Sequence, residues 1–535
     1  MSATASGSIG RGAAGTRLAW VERRWLLAML YAALTAIALY PIFSVTVPPL
    51  VDYPNHLARM YILSHWESVP ALQENYVTNW KLVPNMAMEI VVPLLAKVMS
   101  IYTAGKLFIA AALLMLLGGT MAVRWVLHGR VGPWPVLAYL LLYNHVLFWG
   151  FLNYLFAAGL ALLGFAAWIA LRERGRWQRA TLFTLFSLAL YVCHVFGLLI
   201  YGVLLLGYET WRARAAVGTT DGAWRDWFVA AVQFLAPGVL LLSWIAGTAE
   251  AGQALTDFGT FEDRAVIFFA PVHFNMTAAD IAILMFLGMA WIAARSGRMA
   301  DIAPSMIIPL IMLSIVALAM PVYLSGVWGT HIRLPVLIGC LLIAATRFRD
   351  AHSRRIPVLV IAAAVLFVAR TALVSDQWRD LDAKFLEFRA AADAIPPGAK
   401  LLTTLDAADL PPNGPPLYAM QFWHMNALAV IERGAFVPTL FTGHTPIDAA
   451  SVLKPINTPV GTPVSHALLA LGADAAASPV PLGYRLDRYV RTYWIGWPEQ
   501  FDYLLSIRFG NAKPLHPELV KPMFAGSFFD IGRIR

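Results

Sequence analysis

Three ionisable side chains stand close together in PPLVDYPNHLARMYIL, residues 48 to 63: Asp52, His56 and Arg59. A carboxylate can take a proton from a hydroxyl or an amine. Arginine and histidine can hold a phosphate, and arginine does so with two parallel bonds. Asp52 and His56 are four residues apart, so they share a face if the stretch is helical, and Pro54 suits a first helical turn. Similar groups recur downstream: Glu89; Asn144, His145 and Asn153; His194; His331 and Arg333 in GVWGTHIRLP; and Arg370. Asp52 with His56 or Glu89 has the oxygen and nitrogen donors for a divalent metal, although the spacing is no specific metal signature.

The elements that must position these groups are apolar. The chain has 535 residues, of which 59% are hydrophobic and only 13% charged, and its mean hydropathy is +0.64. A soluble domain carries about 25% charged residues. Apolar runs long enough to cross a bilayer recur through the first two-thirds, which marks a polytopic α-helical membrane protein. The formal charge of +9 points to topology rather than to nucleic acid, because the arginines fall in short loops. Cys193 and Cys340 lie inside apolar runs and build neither a disulfide framework nor a zinc site.

Residues 1–24 read as a polar, basic cytoplasmic tail before an uncleaved anchor. The first span covers Trp25 to Val47, and the loop 48–103 follows it outside. MEIVVPLLAKVMSIY, interrupted by Glu89, Pro93 and Lys97, is expected to lie as a helix on the outer surface, which keeps the basic RWVLHGR inside. Spans follow over 104–123, 133–148 and 151–171. The run 180–208 has basic segments at both ends, so it reads as a hairpin of two short spans turning near His194; one long tilted helix is the alternative. Further spans fit 227–246, 279–294, 302–324, 332–345 and 356–374. The total is about eleven, with the N-terminus in and the C-terminus out, and domain 25–374 ends there.

After Ser375 the composition changes. DQWRDLDAKFLEFRAAADAIPPGAK reads as an amphipathic helix stopped by Pro-Pro-Gly. LLTTL, FDYLLSI and GSFFDIGRI read as strands. Residues 375–535 are long enough for an outward, periplasmic α/β domain. Its segment WHMNALAVIERGAFVPTLFTGH, with His424, Glu432 and His444, is either a wall of the site or an ordinary loop and helix.

In this topology the ionisable groups converge at the outer membrane level, where unpaired charge is expensive. Arg370, near the end of its span, is expected to snorkel. A base beside anion binders at that level suits a substrate with a lipid tail, a phosphate and a reactive head group, and a sugar on polyprenyl phosphate fits. No cofactor is required.

The layout resembles the membrane glycosyltransferases of the GT-C superfamily, among them protein O-mannosyltransferases and aminoarabinose transferase-like bacterial members. The resemblance rests on Asp52 in VDYPNHLAR after span one, on the surface-helix segment PNMAMEIVVPLLAKVMSIYTAGKLFIAAALLMLLGG, and on FDYLLSI and GSFFDIGRI in an outward tail. It implies that Asp52 is the catalytic base of an inverting, polyprenyl-phosphate-sugar-dependent glycosyltransferase of the bacterial inner membrane. Where relatives carry an acidic pair, Tyr53 and Pro54 follow Asp52 here. By position, His331 and Arg333, with Arg59, would hold the donor phosphate. His56, Glu89, Asn144, His145, Asn153 and His194 would line the site. The acceptor would be an envelope glycolipid, polysaccharide or protein. The alternatives are a lipid-linked polysaccharide polymerase or ligase, a transporter, and an envelope scaffold. No inverted repeat and no polar pair at the midplane is evident in support of transport.

Overall fold

Long apolar runs can satisfy their backbone inside a membrane only as helices, and the computed structural model is helical over most of them. It describes residues 24–216, 223–249, 256–296, 299–325, 327–349, 355–405, 417–443, 445–458, 462–472, 493–509 and 516–535. The N-terminal tail 1–23 and His444 lie outside the described residues.

The elements that matter for the site are, in chain order, α1 (Arg24–Ser44), α2 (Tyr53–His65), β1 (Tyr76–Thr78), α3 (Ala87–Ala96), α4 (Ile101–His128), α5 (Leu152–Ala170), α6 (Arg176–Cys193), α7 (Val195–Ala215), α8 (Thr277–Ser296), α9 (Leu334–Ala345), α10 (Arg355–Ala391), β2 (Leu401–Leu405), α11 (Leu428–Arg433), β3 (Ile447–Ala449), β4 (Tyr503–Ile507), β5 (Val520–Ala525) and β6 (Phe529–Ile534). Among the described residues six helices are long and apolar enough to cross a membrane: α1, α4, α5, the Asp226–Ala246 segment, α8 and α10. The chain is thus a multi-pass membrane protein. Ala87–Ala96, Pro304–Ala319 and Leu334–Ala345 are shorter apolar helices. At about 1.5 Å per residue none of these three reaches the ~30 Å of a bilayer core when straight.

Small residues let α4 and α5 approach closely. A Cβ on Gly119 would stand 2.6 Å from Leu162 Cβ, and one on Gly159 would stand 2.4 Å from the backbone of Met115. This is the small-residue packing by which membrane helices associate.

The run 180–208 is a hairpin. His194 takes an extended conformation between α6 and α7. At the opposite ends of these helices, Arg179 and Arg212 both reach Asp226, at 3.4 and 3.1 Å. Only an antiparallel pair can bring those two arginines to one carboxylate.

Three expectations change. Residues 133–148 form no single helix: a 3-10 helix, Trp134–Leu141, gives way to a short α-helix, His145–Trp149. Pro133 and Pro135 remove amide donors at its start, and Asn144 ends the run by accepting the amide of Leu147 at 3.0 Å. The drop in hydropathy at Ser375 does not break the chain's last long helix, because no proline or glycine interrupts α10 between Pro357 and Pro396. Span and amphipathic helix are one rod of 37 residues. Finally, the C-terminal part is interlocked with the first loop. β1 pairs antiparallel with β3, Tyr76 opposite Ala449, and the Asn75 amide donates to the carbonyls of Gly398 and Gly434 at 3.0 and 2.9 Å.

LLTTL, FDYLLSI and GSFFDIGRI are strands, and they lie in one sheet ordered β2-β4-β6-β5. β2 and β4 run parallel, Leu401 beside Tyr503, and β6 is antiparallel to β4. The added strand, β5, is largely exposed, which is why no apolar alternation announces it.

Candidate active site

Asp52 ends the loop that leaves α1. That loop is clamped along its length. Asp382 of α10 accepts the amides of Thr46 and Val47, each at 2.8 Å, and Gln421 donates to the carbonyl of Pro49 at 2.9 Å. The amides of Val51 and Asp52 donate to the carbonyls of Phe148 and Trp149, each at 3.0 Å. Gly150 makes this approach possible: its φ is +82°, and a Cβ there would lie 3.2 Å from the Asp52 amide.

Asp52 stands where a helix N-cap stands, and aspartate there normally accepts an amide of the first turn. Its side chain makes no such bond, so the carboxylate is left for other work. It keeps 15% exposure, and its Oδ1 lies 3.5 Å from Nε2 of His424, which arrives from the C-terminal half. Burial pushes the Asp52 carboxyl up to about 8, against a smaller downward pull from Arg333. A carboxyl titrating near the working pH is suited to a general base.

Arg333, at the head of α9, is the charge that Asp52 feels. Its guanidinium is buried and lies over the rings of Phe151 at 4.6 Å and Phe196 at 5.0 Å. Nη1 stands 3.2 Å from Nε2 of His194, and only two long bonds go to carbonyls, 3.3 Å to Gly329 and 3.4 Å to Trp328. Other buried arginines are better served. Arg59 pairs with Glu89, Arg179 with Asp226 and Arg370 with Asp280, while Arg124 is surrounded by carbonyls, Thr346 at 2.7 Å among them. Among the described residues no carboxylate lies within ion-pair distance of Arg333. A buried cation in that state attracts an anion.

Tryptophans join the two groups. Trp149, whose carbonyl holds the Asp52 amide, meets the ring of Trp328 at 4.3 Å and that of Trp423 at 6.0 Å, and the Trp328 carbonyl faces Arg333.

The remaining predicted residues fall into separate groups. Arg59 pairs with Glu89 and lies 3.2 Å from Nδ1 of His56. The other Glu89 oxygen accepts the Asn153 amide at 2.9 Å. This buried network joins α2, α3 and α5. Burial, then the charges of Arg59 and His424, press His56 well below the ordinary histidine range, so it is neutral. Both Glu89 oxygens are taken, and among the described residues no three His, Cys, Asp or Glu side chains are grouped to hold a metal. The donors around Asp52, as placed, do not form a metal site.

Asn144 is used in its own turn. His145 accepts the indole N–H of Trp149 at 3.0 Å. His331 is two residues from Arg333 but turns Nε2 to the carbonyl of Asp263, at 3.2 Å. Arg370 does not snorkel. It is 2% exposed and pairs with Asp280 at 2.7 Å, because its face of α10 meets α8 and not lipid. Glu432 bonds Arg389 at 2.7 Å and Tyr102 at 2.5 Å, tying α11 to α10 and α4. His424 is the residue that sequence reasoning placed least well. Its only signal was a polar, aromatic segment, and nothing in the spacing ties it to Asp52. A crevice of about 1000 Å³, lined by Asn275, Leu373, Asp376, Gln377, Lys384 and Tyr418 among others, opens beside α10. None of the predicted residues lines it.

No family model matches the chain, and no curated protein matches it in sequence. Two solved structures are similar to it, both of ArnT from Cupriavidus metallidurans. The one bound to undecaprenyl phosphate has 10% identity and a TM-score of 0.45, and the one in the apo state has 12% identity and a TM-score of 0.41. Each likeness covers 95% of this chain and 97% of the other. Neither is close enough to carry a residue's role to this chain.

Proposed function

We propose that the chain is an inverting membrane glycosyltransferase that moves a sugar from a polyprenyl-phosphate donor to an envelope acceptor at the periplasmic face. The observation that carries this reading is the pair of Asp52 and Arg333: a carboxylate of raised proton affinity near a buried guanidinium that, among the described residues, has no carboxylate of its own. The anion that Arg333 is suited to take is the donor phosphate. His194 stands beside it, and His331 and Arg59 are secondary candidates. Arg59 brings less, since Glu89 already balances its charge. Trp328 and Trp423, half-buried beside Trp149, are the aromatic rings against which a sugar could pack.

In the reaction Asp52 takes the proton of the acceptor hydroxyl or amine as that atom attacks the anomeric carbon. The bond from that carbon to the phosphate oxygen breaks on the opposite face, which inverts the centre. Polyprenyl phosphate leaves with its negative charge, and the guanidinium of Arg333 stabilises it. Such a site needs the N-terminus in the cytoplasm and an odd number of crossings before Arg333 and before the C-terminal part, as in the eleven-span reading, so that they face outward together with Asp52.

The test is transfer by the purified protein from a panel of polyprenyl-phosphate sugars to an envelope-lipid extract, read by mass spectrometry. Wild type should transfer, and Asp52→Asn should lose at least a hundredfold. Equal transfer by both would remove Asp52 from the chemistry. Products carrying many sugars would favour a polymerase on the same site, and no transfer from any donor would move the assignment to transport or scaffolding.

A further inference from the structure

We propose that His424, oriented by Asn55, is a positioning residue for Asp52, and that the C-terminal half of the chain thereby completes the active site. This rests on the reading of Asp52 as the base. The hydrogen bonds leave one arrangement. The amide of Phe441 donates to Oδ1 of Asn55 at 3.0 Å, which fixes the Asn55 side chain with its nitrogen on the other side. That nitrogen donates to the carbonyl of Thr439 at 2.9 Å and faces Nδ1 of His424 at 3.1 Å. A neutral imidazole has one N–H and one acceptor nitrogen. Nδ1 accepts, so the proton sits on Nε2, and Nε2 is the atom that faces Oδ1 of Asp52 at 3.5 Å.

The ring cannot easily leave this orientation. His424 is 4% exposed and packs edge-on against Phe441 at 4.9 Å. Burial pushes it down to about 3, so it meets Asp52 as a neutral donor. A neutral N–H orients a carboxylate without pairing it with a full positive charge, and the base stays basic. One carboxylate oxygen faces the imidazole N–H at 3.5 Å, and the other is left for the acceptor's proton. Among the described residues the charge that acts on Asp52 is Arg333 at the head of α9, and the titratable groups one and two turns along α2 are His56 and Arg59. The first draws the Asp52 carboxyl down, and Arg59 is balanced by Glu89.

Two measurements on the full chain in nanodiscs test this without substrate. The first is an infrared titration of the Asp52 carboxyl, its band assigned with Asp52→Asn. His424→Phe keeps a ring but loses the donor, so the midpoint should rise by about one pH unit. His424→Gln, whose amide can donate, should restore most of it. An unmoved midpoint in His424→Phe overturns the proposal. Should the phenylalanine variant not fold, nitrogen NMR of labelled histidine in the wild type decides. A proton on Nε2 of His424, with a shift that follows Asp52 and is lost in Asp52→Asn, supports it. A proton on Nδ1 overturns it. The transfer assay separates the two readings. If Asp52→Asn still transfers while His424→Phe moves the titration, the base assignment fails and the positioning contact stands.

Discussion

Arg333 and His194 meet donor to donor. Nη1 of the arginine stands 3.2 Å from Nε2 of the histidine, while Nδ1 of His194 already accepts the amide of Phe196 at 3.0 Å. With Nδ1 as the acceptor, the neutral ring turns its N–H toward a guanidinium. An anion placed between them would accept from both, which ties the free structure to the ligand it is expected to bind.

Polyprenyl phosphate alone, without a sugar, should therefore stabilise the protein. At a hundredfold excess over its Kd the gain is about 2.7 kcal/mol, read as a rise in Tm. Arg333→Met should lose that rise. The same variant without ligand should melt no lower than the wild type, because it removes a buried charge that has no ionic partner. A full ligand-induced rise in Arg333→Met would take Arg333 out of the phosphate site.

As the proposed base, Asp52 should set opposite pH trends for activity and stability. Burial holds its proton up to about 8, so the base forms, and transfer should increase, as pH rises through that value. Between the ordinary carboxylate range and about 8 the folded state keeps a proton that the unfolded chain has lost. Stability therefore falls with rising pH across this window and levels off above it. Asp52→Asn stays neutral throughout. It should match the wild type at low pH and become progressively the more stable protein up to about pH 8, as thermal melts in a pH series would show. Parallel curves for the two proteins would mean that Asp52 titrates normally.

Arg59 and Glu89 form a buried pair whose partners are 30 residues apart. Glu89→Gln leaves the guanidinium charged and buried, which should cost about 3–5 kcal/mol. Arg59→Met with Glu89→Gln should recover much of that, since the lone charge is gone. The double-mutant cycle, measured by thermal melts, gives the coupling. If Arg59 also holds the donor phosphate, the double variant will be stable and inactive. If the pair is purely structural, it will be stable and active.

Local pattern was legible, and distant partnership was not. Asp52 drew attention because a carboxylate after a span anchors nothing. The hairpin at His194 could be read from basic segments at both ends, and three strands from short apolar runs. Hydropathy also suggested a break at Ser375, but composition can change along a helix without any residue that ends it, and α10 continues. The partners of the buried polar side chains are remote. Asn55 and His424 are 369 residues apart, and Arg370 and Asp280 are 90 apart. No period or spacing connects such pairs. Topology does, through β1 beside β3 and α10 beside α8.

Asp382 offers the sharpest test of how far that topology governs the chemistry. It lies on α10, yet its two oxygens hold the amides of Thr46 and Val47 at 2.8 Å each, six and five residues before Asp52. The far end of the same loop is held by the backbone of Phe148 and Trp149. Asp382→Ala frees one end and leaves a buried amide at Val47 without an acceptor. The loop should then relax, and Asp52 should drift from its place beside His424. A displacement of the order of 1 Å in a reacting group can cost about a hundredfold in rate. The expected result is a fall of about 10- to 100-fold in transfer rate, with little change in the thermal shift given by polyprenyl phosphate, since Arg333 is anchored elsewhere. Asp382→Asn should be only partly better, because its NH₂ turns a donor toward one of the two amides. Wild-type rates in Asp382→Ala would show that the hold at Phe148 and Trp149 places Asp52 unaided. Equal losses of rate and of phosphate binding would mean that the loop and the guanidinium site move as one body.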